Sequence, residues 1–359
     1  MQYFLEGLRL NITELLESKV TYNLHYLLVA LKIYFTPCLV GIGLFANVVN
    51  ILVFLRSRLR KVTCAPYLTL LSVVDVCFLV VLFSLWLINA GFDIYRISGG
   101  CQAVTLVMSG SSFISVWAVT ALALDRLLMV YPNIHPCLLA CPGKRPKLLA
   151  LCIGAGGFAI FLNLCLLYSS YQTDTGQIVC IPMPEFIPIM GMMEKLDVIF
   201  DFLIPSILLV IMNIVIVYFV HRILNSGRVV HRVRQRNTNI ATMQQRSKIE
   251  LNMTKLALVV TMTFLVLNLP GHLLRFVFMV SEGTEYAALA YEPNTFLIRQ
   301  LLMNLFFLRS SICPFMCFIS SSLYRKAVCS KLSAVNCFGK PKCLIARKET
   351  EHSRHVLTD

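Results

Sequence analysis

Seven apolar stretches, roughly residues 33–55, 66–90, 101–130, 147–169, 196–220, 253–280 and 296–319, fill most of this 359-residue chain. About 20 consecutive apolar residues suffice to cross a bilayer, and in hydrocarbon only helices and closed barrels satisfy their own backbone. Each stretch is therefore predicted to be a membrane-spanning helix. The chain is 57% hydrophobic and 14% charged, unlike an ordinary soluble domain. The expected fold is an all-α integral membrane protein, a seven-transmembrane helix bundle at 33–319. Residues 1–32 form an extracellular N-terminus, and 320–359 an amphipathic helix and cytoplasmic tail. No room remains for a second domain. The residues before the first stretch are mostly polar, with neither a basic n-region nor a small-residue cleavage site, so no cleaved signal peptide is expected.

A net charge of +14 would suggest nucleic acid, but its distribution excludes that partner. Arg56, Arg58, Arg60 and Lys61 follow the first stretch, and Lys144, Arg145 and Lys147 precede the fourth. Arg222, Arg228, Arg232, Arg234, Arg236, Arg246 and Lys248 fill the loop after the fifth, and Arg325, Lys326 and Lys331 follow the seventh. The alternate loops carry Asp93, Asp174, Glu282, Glu285 and Glu292, with Arg96 the exception. Basic residues gather on the cytoplasmic side of membrane proteins, so the N-terminus is expected outside, in the plasma membrane. The sequon at Asn11 is then open to glycosylation, whereas that at Asn252 faces the cytoplasm.

On this topology, of the fourteen cysteines only Cys101 and Cys180 lie outside the bilayer on the oxidising side. Cys38, Cys64, Cys77, Cys152, Cys165, Cys313 and Cys317 sit in or beside spans, where a small apolar thiol is ordinary. After the seventh stretch, apolar and basic residues alternate at helical spacing from Ser320 to Val328, as in a helix lying on the inner leaflet. Cys329 and Cys337 stand where palmitoylation would pin it, against the plainer reading of free thiols. The last twenty residues are polar and expected to be disordered. No internal repeat is visible, which weighs against a secondary transporter, as does the odd number of spans. No metal cluster and no Ser–His or Asp–Asp constellation suggests a membrane enzyme; no catalytic residue, cofactor or structural metal is expected.

Motifs in a fixed order resemble the rhodopsin-like (class A) G-protein-coupled receptors over roughly residues 30–330. Asn47 matches the first-helix asparagine and Leu71-Ser72-Val73-Val74-Asp75 the second-helix acidic motif. Cys101 matches the third-helix cysteine and Cys180 its partner, which implies a disulfide fixing the pocket roof. Asp125-Arg126-Leu127 matches Asp-Arg-Tyr; Pro205, Pro270 and Pro314 match the prolines of helices five, six and seven, and Phe264 fits six residues before Pro270. Several positions depart from the pattern. The fourth helix lacks its tryptophan, Asn268 stands in the sixth-helix Cys-Trp-x-Pro, Cys313-Pro314 opens what is usually Asn-Pro-x-x-Tyr, and Asn213 replaces a helix-five tyrosine. This divergent style resembles invertebrate FMRFamide-like neuropeptide receptors.

The resemblance implies roles for particular residues. Arg126 would be held by Asp125 and by Glu250, twenty residues before Pro270, as a switch whose opening admits a heterotrimeric G protein, with Ile134 as an apolar contact. A surface ion pair worth about 0–1 kcal/mol is the plainer reading. Asp75, with Ser115, occupies the place of the family's sodium site. Cys313 replaces an oxygen ligand there, and a thiol suits a hard cation poorly. Arg309, one turn before Cys313, needs an acid inside the membrane, and Asp75 is the nearest candidate, so an Asp75–Arg309 pair is expected in place of the ion. Asn47, Asn268 and Cys313 complete this mid-membrane polar group.

Glu194, Asp197 and Asp201 recur at spacings of three and four on helix five. They read either as counter-ions for a cationic ligand group or as structural partners of Arg275; both readings stay open. His272, Arg275 and Arg299 are further ligand candidates, as are Trp86 and Met108, although aromatics such as Trp86, Tyr171, Phe202 and Phe306 more often serve packing. Met108 stands where aminergic receptors carry an acid, and Phe307 where opsins carry their Schiff-base lysine, so neither chemistry is expected. The function implied is a receptor for an extracellular ligand, preferably a neuropeptide. A receptor for a small polar or acidic metabolite read by Arg275 and Arg299, or a constitutively active receptor, is the alternative.

Overall fold

The computed structural model describes residues 19–130, 166–173, 176, 178–230, 238–281 and 293–336. Most of the expected fourth span, Asn11, Ile134, Cys337 and the polar C-terminal residues lie outside these. Helix α1 (Lys19–Ala30) passes through a π-helical turn, Leu31–Phe35, into α2 (Thr36–Arg56). Helices α3 (Ala65–Leu87) and α4 (Gly100–Val130) follow. An antiparallel hairpin of β1 (Tyr168–Gln172) and β2 (Ile178–Pro182) pairs Ser170 with Cys180. Helix α5 (Ile187–Asp197) leads through a second π turn, Val198–Leu203, into α6 (Ile204–Val230). Then come α7 (Thr238–Ser281), α8 (Pro293–Ser320) and α9 (Ser322–Asn336). Among the described residues, six helices are long and apolar enough to cross a membrane.

The first helix starts at Lys19, ahead of the expected residue 33. No proline or glycine occurs between Lys19 and Phe35, so nothing stops the helix there. At about 1.5 Å per residue it reaches roughly 55 Å, against about 30 Å of hydrocarbon, and so outruns a bilayer core. Tyr168 and Ser169, expected at the end of the fourth span, belong instead to β1. Apolar residues continue from the expected span into the hairpin, which hides the boundary from a hydropathy reading.

Two prolines explain the π turns. A proline lacks an N–H and frees the carbonyl four residues earlier. Pro37 frees the carbonyl of Ile33, inside the first π turn, and the Trp86 indole donates to it at 3.2 Å. Pro205 in the same way frees the carbonyl of Asp201, inside the second π turn. Pro314 lies within α8 and frees Ser310 O, which the Asn47 amide takes at 2.8 Å while also donating to Gly43 O at 2.9 Å. A π turn changes which way its side chains face, and such turns are common at functional sites.

The interior is packed mainly at the Arg126 end, where Phe54, Tyr67, Leu68, Leu122, Met253, Leu256 and Tyr324 are buried together. Tyr324 of α9 stacks on Phe54 with ring centres 5.6 Å apart, which fastens α9 under α2. A smaller cluster of Val40, Phe78, Leu79 and Leu82 meets Phe306 and Phe307 nearer the other end. Outward faces stay apolar: Val73, Val80, Ile214, Val217 and Val266 are all exposed. A helix apolar on every side belongs in hydrocarbon.

Helices α2, α3 and α8 meet at Gly43. A Cβ built there would clash with the Ser311 hydroxyl and come within 2.8 Å of a Leu79 methyl. Ser311 itself donates to Leu39 O at 3.1 Å, so it is not free to move away. Gly43→Ala is expected to destabilise the protein by about 1–3 kcal/mol, the usual range for overpacking. Thermal unfolding in nanodiscs checks this against Gly41→Ala, whose methyl would meet nothing within 4 Å and is expected to hold or raise the melting temperature.

Candidate functional site

At one end of the bundle the fully buried Arg126 is held from two helices. Its Nη1 donates to Glu250 Oε2 of α7 at 3.1 Å, and its Nε to Asp125 Oδ2 at 3.1 Å. Its Nη2 contacts Asp125 Oδ2 and the Thr63 hydroxyl, and Thr63 donates to Asp125 Oδ2 at 3.0 Å. Glu250 lies in the first third of α7, where Thr254 donates to its backbone carbonyl at 2.9 Å. Two carboxylates and a hydroxyl thus take the donors of one guanidinium. Removing one member of such a buried set typically costs about 3–5 kcal/mol, because the other charge stays behind. Thr63 was not identified from the sequence; its only signal is its place in the short loop just before α3. Farther along α7, Thr261 donates to Asn213 Oδ1 at 2.9 Å, pinning α6 to α7.

In mid-bundle, Arg309 Nη2 lies 3.7 Å from Asp75 Oδ1, with both side chains buried. The guanidinium sits 5.0 Å from the ring centre of Phe264 and 4.7 Å from that of Phe306, and Nη2 donates to the Ser310 hydroxyl at 3.1 Å. Two aromatic faces and a carboxylate therefore hold the cation. The Arg309 Nε and Nη1 atoms have no hydrogen-bond partner. Ser115 is fully buried with its hydroxyl unpartnered, and neither amide atom of buried Asn268 has a partner. Asn47 points to Ser310 O, as described above, and Cys313 is buried.

The family resemblance implies a sodium ion near Asp75, and the residues present do not fit one. Arg309 already supplies the positive charge, and the small cavity beside it is walled by Leu71, Val260, Phe264, Ile312, Cys313 and Met316, with no further oxygen side chain except Thr263. Sodium is a hard cation and needs a shell of oxygens, which sulfur and hydrocarbon do not provide.

At the other end, Cys101 at the start of α4 is bonded to Cys180 of β2, with Cα atoms 5.4 Å apart. The hairpin is held further by Gln102 donating to Tyr168 O at 2.9 Å and by Ser170 donating to Tyr95 O at 3.0 Å. Beneath it, Asp197 and Arg275 form an ion pair at 2.8 Å, each side chain a little over a quarter exposed. Asp201 is buried and accepts from Ser112 at 3.0 Å, leaving its Oδ1 unpartnered. His272 stacks on Phe202 at 5.1 Å with nearly parallel rings. Ser112 was not identified from the sequence, although it lies three residues before Ser115 on the same face of α4.

Not every expected ligand residue converges here. Trp86 stacks on Phe83 at 5.6 Å and spends its indole N–H on Ile33 O; Met108 packs against the Phe78 cluster. Arg299 is exposed near the start of α8, and Glu194 lies in α5. Of the lipidation candidates, Cys329 is exposed on α9.

A family model described as 7 transmembrane receptor (rhodopsin family) matches residues 46–316. No curated protein matches the chain. The poor fit to sodium gives a direct expectation: the melting temperature of the purified protein will be the same in sodium chloride and in choline chloride at equal ionic strength. A stabilisation specific to sodium would show that Asp75 remains open to the ion.

Proposed function

Because this chain belongs to the rhodopsin family of seven-transmembrane receptors, we propose that it passes the binding of an extracellular ligand to a heterotrimeric G protein by releasing Arg126 from Glu250. The single observation that carries this reading is the Arg126 cluster, in which a buried guanidinium joins α4 to the far end of α7. A ligand works by binding one conformation better than another. Movement of α7 away from α4 separates Arg126 from Glu250 and opens the face between them. Arg126 does not become stranded when this happens, since Asp125 and Thr63 travel with or beside α4 and keep their contacts.

The ligand enters at the disulfide end, with the N-terminus outside and the basic loops in the cytoplasm. A neuropeptide is the ligand class this reading favours. The partly exposed Asp197–Arg275 pair supports it, because a peptide's own charged groups can exchange partners with such a pair. A metabolite receptor would want Arg275 available for an acid, and here Arg275 already serves Asp197. The departures at Asn213, Asn268 and Cys313 mean that transmission runs through different contacts from the family's usual ones, with the Asn213–Thr261 bond joining α6 to α7.

Glu250→Gln weakens the closed state and is expected to raise ligand-free nucleotide exchange on a co-reconstituted G protein. A shift of about 1–2 kcal/mol corresponds to roughly 5–30-fold in the population ratio. Arg126→Ala is expected to abolish exchange at unchanged surface expression. Equal exchange by the wild type and both variants, across the main G-protein classes, would sink the transducer reading.

A further inference from the structure

Two buried carboxylates, Asp75 and Asp201, line separate cavities that share the Phe264 ring. Asp75 lines a small cavity with Phe264 and Arg309. Asp201 lines a second with Phe264, Asn268 and His272, on the side of the disulfide end. The Phe264 ring that separates the two cavities is also one of the two faces on which the Arg309 guanidinium rests. In the structure Arg309 lies toward Asp75, at a distance longer than a hydrogen bond. Its Nε and Nη1 are unpartnered, as are Asp75 Oδ1 and Asp201 Oδ1. Asp201 thus shares a cavity with the ring on which the Arg309 guanidinium rests.

Other charges also stand around Asp201: Asp197 adds a like charge, and Arg275 is held at 2.8 Å by Asp197. Ser112 supplies one neutral hydrogen bond. An isolated carboxylate is costly to bury without a paired cation, and an arginine inside the membrane needs its acids close. The guanidinium is well suited to sharing: it is planar, carries five N–H donors and slides over aromatic faces.

We propose that Arg309 is the shared counter-ion of Asp75 and Asp201, the residue that couples the cavity beneath the hairpin to the middle of the bundle. A positive group that reaches Asp201 from the disulfide end releases Arg309 wholly to Asp75. Loss of that group returns part of the guanidinium's field to Asp201. This second half rests on the receptor reading; the sharing itself does not.

The test is a mutant cycle on the purified protein in nanodiscs, read first as melting temperature. Asp75→Asn and Asp201→Asn are each expected to be tolerated, because the remaining acid keeps Arg309 paired. Arg309→Gln leaves two carboxylates without their cation and is expected to lower the melting temperature more than either acid variant does. The double variant Asp75→Asn/Asp201→Asn strands Arg309, so its loss is expected to exceed the sum of the single losses, and adding Arg309→Gln is expected to recover stability. A double variant that yields folded protein only with Arg309→Gln is the same result in extreme form. Additive acid effects, or an excess loss that persists with Arg309→Gln, would overturn the shared counter-ion, as would wild-type stability in Arg309→Gln alone. Ligand-free nucleotide exchange is read on the same samples. Coupling in melting temperature together with wild-type exchange in every variant would overturn the transmission role while leaving the charge sharing intact. Exchange that fails in the wild type as well would instead count against the transducer reading.

Discussion

Hydrocarbon forms no hydrogen bonds, so a proline set inside a membrane helix leaves behind a carbonyl that only the protein itself can satisfy. Much of this fold is organised around that demand. Pro314 frees Ser310 O, and Asn47 reaches across from α2 to take it. Pro37 frees Ile33 O, and Trp86 reaches across from α3. Each solution ties two helices together at a fixed depth. Each also draws backbones close, and at Gly43 the gap leaves no room for a methyl group. The π turn before Pro205 belongs to the same set, and it carries Asp201 into the interior instead of toward lipid.

Charge inside the bundle is arranged in three groups along its length: Asp197 with Arg275, Asp75 with Arg309, and Arg126 with Asp125 and Glu250. The groups differ in how tightly the cation is bound. Arg126 has its donors taken up by two acids and a threonine, in the best-packed part of the protein. Arg309 has spare donors and rests mainly on aromatic faces, which hold a cation without fixing its direction. Arg275 and Asp197 are partly open to solvent, where screening weakens the pair. The cations are thus held most tightly at the Arg126 end and most loosely at the disulfide end, the order that the proposed receptor function calls for.

The apolar stretches were legible because length and hydropathy alone determine them, and six of the seven expected spans correspond to long described helices. Charged residues within those stretches stood out because an arginine such as Arg126 or Arg309 is costly in hydrocarbon unless an acid is near, and the family resemblance then pointed to Glu250 and Asp75 as the acids. What escaped the sequence was short-range geometry. The start of the first helix was hidden because a helix that leaves the membrane loses its hydropathy signal while keeping its backbone. The hairpin was hidden because its strands follow an apolar run without a break. Thr63 and Ser112 were hidden because a hydroxyl carries no charge signature, and their value appears only once α3, α4 and the Asp201 turn are brought together.

The indole of Trp86 is a peg between the first two membrane helices, and it is one of only two tryptophans in the chain. The other, Trp117, lies in α4 beside Phe113, nearer the Arg126 end. The protein therefore carries its own pair of optical probes at two depths. With one replaced by phenylalanine, the emission of the other reports a single level of the bundle, with no label attached. Light from Trp86 follows the seam between the first two helices, and light from Trp117 follows the helix that bears Arg126.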